Sequence, residues 1–158
     1  MSREKKHISI DEALNKARRY CAYQERCHYE VETKLKSLGL HYEFVPVICV
    51  KLVEEGYLSE ERFVSAYVRG KFNQSKWGVH KIKIGLQQKH ISPKLIEWGL
   101  KEIDEDLYRN ELTRLLEVKR ERLKGRPAEM KDKLWRYARQ KGYESHLISE
   151  IVNEMLRN

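Results

Sequence analysis

The sequence predicts an all-α protein: an elongated, curved array of three tandem three-helix repeats, about nine helices. Three observations predict it. Apolar residues recur at three- and four-residue steps through most of the 158-residue chain. Helix punctuation, Ser or Asp before a segment and Gly after it, recurs with them. The pattern also repeats. Val31, Ile82 and Leu134 correspond, as do Leu35, Leu86 and Ala138; Gly39, His90 and Gly142; Leu40, Ile91 and Tyr143; Phe44, Leu95 and Leu147; Val45, Ile96 and Ile148. The offset is 51 residues, then 52. The repeats are placed at residues 9–57, 58–103 and 104–158, after a short flexible N-terminus over 1–8.

The first repeat opens with Ser9 and Glu12 at capping-box spacing. Ala13, Leu14, Ala17, Tyr20 and Cys21 form the inner side of a helix ending near Glu25. A second helix runs from about His28 to Leu38, with Val31, Leu35 and Leu38 inward and Gly39 after it. A third spans about Glu43 to Glu55, with Phe44, Val45, Ile48 and Leu52 inward and Pro46 in its first turn. The apolar run from Phe44 to Val53 also suits a buried strand; its spacing and the Gly56 ending favour helix.

In the second repeat, Ser59 is placed to cap a helix reaching about Asn73, with Leu58 and Phe63 as its staple. Phe63, Ala66, Tyr67 and Gly70 make one stripe, widened by Val64 and Val68. Trp77 and Gly78 break the chain. Val79, Ile82 and Leu86 face inward on the next helix, ending near His90, although Ile82-Lys83-Ile84 alternates as a strand does. Pro93 opens a short helix through Leu95, Ile96, Trp98 and Leu100. In the third repeat Asp104 caps a long helix through Leu107, Leu112, Leu116 and Leu123, ending at Gly125. Pro127 restarts the chain toward Leu134, Tyr137 and Ala138. After Gly142, a last helix carries Leu147, Ile148, Ile151, Val152 and Met155.

Composition bounds the function. Hydrophobic residues are 41% and charged residues 35%, which is foldable but rich in surface. The net charge is +8, and by thirds of the chain its excess is +1, +5 and +2. From Arg62 to Ile96 there are eight Lys or Arg and no Asp or Glu. A charge focused in this way faces something negative or carbonyl-rich; a solvated basic face opposite a core is the plainer reading. The three cysteines Cys21, Cys27 and Cys49 form no disulfide framework. No apolar run approaches a membrane span, and MSREKKHISI lacks the core of a signal peptide. A reduced, cytoplasmic protein with no membrane partner is expected.

Enzyme chemistry has little purchase here. There is no G-x-S-x-G elbow and no phosphate-binding glycine loop. Asp104-Glu105-Asp106 and Glu54-Glu55 sit at helix ends, where caps and dipole partners belong. Cys21, Cys27 and His28 match no zinc spacing. No catalytic residue, metal site or cofactor is expected.

The residues Gly56-Tyr57-Leu58, Arg62-Phe63, Tyr67-Val68-Arg69, Gly78 and Ile82 together resemble the core motif of the RecX regulatory proteins. Ala13-Leu14, Arg26, Glu30-Val31, Lys34-Leu35, Leu38-Gly39, Ile48 and Leu52 agree upstream, and Gly142-Tyr143 and Leu147-Ile148 downstream. The resemblance covers residues 9–156, most closely Tyr29 to Ile91. It implies tandem three-helix repeats and a non-enzymatic protein that lies in the groove of the RecA filament on single-stranded DNA; separately, a monomer is expected. There it would damp strand exchange, ATP hydrolysis and co-protease activity. Residue by residue it implies Arg62, Tyr67, Arg69 and Lys81 as binding candidates. The band itself adds Lys71, Lys76, Trp77, His80, Lys83 and Lys89. Trp77 among bases could stack on a nucleobase or anchor a protein, or simply cover a helix junction; Tyr67 suits a core as well as a contact. The sequence departs from the family pattern at Cys27, at Ser59-Glu60 and at His90, where Gly is common. The rival reading is a stand-alone helical module binding single- or double-stranded DNA through the same band.

Overall fold

The computed structural model describes residues 7–157. Of the flexible start expected over residues 1–8, residues 1–6 lie outside the described residues. His7 and Ile8 are anchored: His7 Nδ1 lies 3.1 Å from the Gly39 carbonyl oxygen, to which the Ile8 N–H also donates at 3.4 Å.

Among the described residues the chain is all-α. In order it forms α1 (Ile10–Tyr23), α2 (His28–Ser37), a 3-10 turn (Tyr42–Phe44), α3 (Val45–Glu54), α4 (Glu60–Asn73) and α5 (Val79–Gln88). Then come α6 (Pro93–Leu100), α7 (Glu105–Glu121), α8 (Pro127–Lys141) and α9 (Ser145–Leu156). The two stretches that also suited a strand, the apolar run Phe44–Val53 and the alternating Ile82–Ile84, are helical or lead into helix. Each packs in three dimensions through one side only, which suits a 3.6-residue period.

The start signals act as read. Ser9 Oγ accepts the Glu12 N–H at 3.1 Å, Ser59 Oγ the Arg62 N–H at 3.2 Å, and Asp104 Oδ1 the Leu107 N–H at 2.9 Å. The repeat offset carries into burial. Val31, Ile82 and Leu134 are buried, as are Leu35, Leu86 and Ala138, and likewise Leu40, Ile91 and Tyr143. The backbone follows the same register: Gly39, His90 and Gly142 have φ of 84°, 60° and 100°. His90 therefore holds a left-handed conformation that costs a Cβ-bearing residue energy. Its ring stacks on Tyr29, with centroids 4.2 Å apart.

The chain forms two compact units. One takes the described residues up to Ala66 together with Lys89–Ile91; the other takes Tyr67–Gln88 and the chain from Ser92 onward. In the first unit α1, α2 and α3 pack pairwise around Ala13, Ala17, Val31, Leu35, Ile48 and Leu52. Arg18 ties α1 to the end of α3 with paired bonds to the Glu55 carboxylate at 2.8 and 2.6 Å. That fork holds the Glu55 carboxyl below its ordinary value. In the second unit α7, α8 and α9 pack pairwise, and α5 packs on α6.

Some residues of the apolar pattern face outward, Trp98 of α6 among them. Leu107 is 62% exposed and its neighbour Tyr108 is buried instead. Ala66 is exposed, and Phe63, Val64, Val68 and Phe72 form the buried stripe of α4. Phe44 is partly exposed because the 3-10 turn swings it off the register of α3. The long helix α7 also stops at Glu121, short of Gly125.

Candidate partner-binding site

The second unit gathers four of the residues singled out from the sequence. Tyr67 and Lys71 stand one turn apart on α4. After α4 the chain closes a tight loop in which the Trp77 N–H donates to the Lys71 carbonyl at 2.9 Å. Lys76 takes a left-handed backbone there, φ 59°. Two contacts hold it: its carbonyl accepts the Tyr143 hydroxyl at 3.0 Å, and its Nζ pairs with Glu111 at 3.4 Å. The loop turns the indole back toward α4, while Lys81 approaches from the first turns of α5. The ammoniums of Lys71 and Lys81 lie 4.6 and 4.7 Å from the Trp77 ring centroid. Lys71 Nζ is also 5.5 Å from the Tyr67 ring. These are cation–π distances.

The placement of Lys81 depends on how α5 begins. The sequence offers no capping side chain at Trp77-Gly78, yet a helix start leaves N–H groups without intrahelical partners. Here other elements supply the acceptors. Gly78 N–H donates to Lys141 O at 2.7 Å, Val79 N–H to the Tyr108 hydroxyl at 3.1 Å, and His80 N–H to Gly142 O at 2.9 Å. The orphan carbonyls at the end of α8 thus satisfy the orphan donors of α5. The approach requires glycine on both sides. A Cβ on Gly78 would stand 2.4 Å from the Gly142 carbonyl carbon, and one on Gly142 would stand 2.4 Å from Lys81 Cβ. Tyr108 also donates to Glu144, and burial with that carboxylate pushes its hydroxyl far above the ordinary value. Gly85 does similar service for Tyr67, whose hydroxyl lies 2.0 Å from where a Cβ would be.

The other six candidates lie elsewhere or are engaged within the fold. Arg62 donates to Glu25 at 3.0 Å and to the Gly56 carbonyl at 2.7 Å, so it braces the entry to α4. Lys76 is held by Glu111. Lys89 belongs to the first unit, where it pairs with Glu30 at 3.3 Å beside the buried Cys27. Arg69, His80 and Lys83 are exposed. The sequence reading missed Glu111, Tyr108 and Tyr143, which position the loop, and Gly85. A glycine inside a helical pattern was the one available signal for the last.

Two lysine ammoniums held against an indole form a compact cationic surface with an aromatic floor. It suits carboxylate, phosphate or carbonyl groups of a partner, and provides no nucleophile or proton relay. Among the described residues no group of His, Cys, Asp and Glu is placed to hold a metal ion. No helix of the described residues is long and apolar enough to cross a membrane.

An all-α repeat protein with a cationic, aromatic surface is the class this geometry defines. Known proteins narrow it. Residues 59–100 match the family description "RecX, second three-helix domain". The chain is 29% identical over 147 residues to the regulatory protein RecX of Halalkalibacterium halodurans, covering 92% of this chain and 55% of that one. It is 25% identical over 146 residues to the regulatory protein RecX of Prosthecochloris aestuarii, covering 92% and 95%. The crystal structure of RecX from Lactobacillus salivarius superposes with a TM-score of 0.80 at 28% identity, over 92% of this chain and 95% of that one. The chain thus spans about half the length of the first of these relatives and nearly all of the others. Over most of its length it is similar to the RecX regulatory proteins.

Proposed function

We propose that this chain binds the RecA recombinase filament in its helical groove and lowers its ATPase, strand-exchange and co-protease activities. Similarity to the RecX regulatory proteins supports the partner. The observation that carries the site is the Trp77 ring with the Lys71 and Lys81 ammoniums against it. Both cations are oriented before binding, so less side-chain entropy is lost when a partner's carboxylate or carbonyl meets them. Tyr67 and Trp77 supply rigid contact area, as anchor residues of interfaces do.

The test is the Lys71→Glu, Lys81→Glu double variant in a RecA ATPase assay. Each reversed charge removes a contact worth roughly 1–3 kcal/mol if it is desolvated in the complex. The concentration giving half inhibition should rise at least ~10-fold. Inhibition at the wild-type concentration by a folded double variant would falsify the site. The same aromatic and basic cluster also suits stacking on single-stranded DNA. Tight binding to bare DNA at physiological salt, with no response to RecA, would favour that second reading.

A further inference from the structure

The first unit carries a second basic surface outside the central band. On α1, Lys16, Arg19, Tyr20 and Tyr23 recur at three- and four-residue steps and so share a helix face. Arg26, in the link to α2, and Lys34 on α2 face them. These residues line a groove of about 440 Å³ whose lining holds four cations and no acid.

The groove is organised around a stack. The Arg26 guanidinium carbon lies 3.7 Å from the Tyr20 ring centroid and 5.9 Å from that of Tyr23. Its Nε donates to the Tyr20 carbonyl at 3.0 Å, which fixes the plane of the guanidinium. Lys34 Nζ stands 5.5 Å from the Tyr20 ring. Tyr23, at the outer end, is 84% exposed. Lys16 has one exposed carboxylate nearby, Glu12 at 3.6 Å, a pairing that a bound anion displaces at little cost.

We infer that this groove binds single-stranded nucleic acid, with a base stacked on Tyr23 and phosphates against Lys16, Arg19 and Lys34. The chemistry favours that ligand over the alternatives. A single strand alternates planar bases with anionic phosphates, and the groove sets an open ring beside a row of cations. An acidic peptide uses the cations and leaves the ring idle. A duplex keeps its base faces stacked inside. The inference holds whether or not the Lys71–Trp77–Lys81 surface engages a filament.

The experiment is fluorescence anisotropy of an oligothymidylate of about fifteen nucleotides with the full chain and no recombinase. Tyr23→Ala should weaken binding about 10-fold and Tyr23→Phe should retain it, since only stacking is removed in the first. Arg19→Ala with Lys34→Ala should reduce the slope of log affinity against log salt by about 1.4, for two phosphates at roughly 0.7 each. Tyr23→Ala should weaken binding by the same factor in the Lys71→Glu, Lys81→Glu background. Unchanged binding by Tyr23→Ala overturns the assignment, as does loss confined to the Lys71 and Lys81 variant. So does a poly-glutamate peptide or thymidine monophosphate that binds as tightly as the strand.

Discussion

Gly78 meets backbone where Gly39, Gly56 and Gly70 meet open space. Its missing Cβ is what lets α5 start against the end of α8. Gly78→Ala has no flexible atom to push aside, so we expect a cost of about 3 kcal/mol. Thermal unfolding should show it as a Tm fall of about 6–12 °C for a chain of this size. The cysteines give a second prediction. Burial pushes the Cys27 and Cys49 thiols up to about 11 from an ordinary 9.0. Both are then neutral in the folded chain at pH values where the unfolded chain ionises them. Their contribution is complete below about pH 9 and is lost as pH rises from about 9 to 11. Urea unfolding should show stability falling across that window, and less steeply in Cys27→Ser with Cys49→Ala. Tyr108 and Tyr143, also raised by burial, leave a remaining fall above pH ~10. Side-chain burial one residue at a time was the least legible level. Leu107 and Tyr108 both fit a helical stripe, and only the partners Val79, Glu144 and Tyr143 decide that the tyrosine turns inward.

Helix starts divide into those the local sequence makes and those the fold makes. Ser9, Ser59 and Asp104 cap their own helices and were legible as such. Ser59→Ala should cost about 1 kcal/mol, read as a shift in the denaturation midpoint without a change in its slope. The start of α5 was not legible, because its acceptors come from residues about 30 to 60 positions away, Tyr108, Lys141 and Gly142. Tyr108→Phe removes one acceptor and leaves the Val79 N–H and the Glu144 carboxylate unpartnered. It should cost about 1–3 kcal/mol and speed hydrogen exchange at Val79 more than at Glu12, whose cap is local.

At the scale of the chain, the charge excess in the middle third sets the expected response to salt. A partner held by exposed lysines loses affinity as the screening length shortens from ~10 Å at 0.1 M salt. Capture of this protein on RecA filaments should weaken at least ~10-fold between about 0.05 and 0.3 M salt, measured by co-sedimentation. Capture independent of salt would point to an apolar contact instead. The band itself was visible in the sequence, but its division was not. Arg62, Lys76 and Lys89 each meet a carboxylate distant in sequence, Glu25, Glu111 and Glu30. An acid-free stretch says nothing about acids brought to it by folding.

The sequence by itself determined the all-α class, the helix order, the repeat register and the caps at Ser9, Ser59 and Asp104, because these rest on periodicity and on hydrogen bonds spanning three or four residues. Tertiary structure alone decided where α5 starts, and so how Lys81 meets Trp77, and why Gly78 and Gly142 must lack side chains. Those features depend on distances between residues far apart in the chain, and no local pattern of residue types encodes such distances.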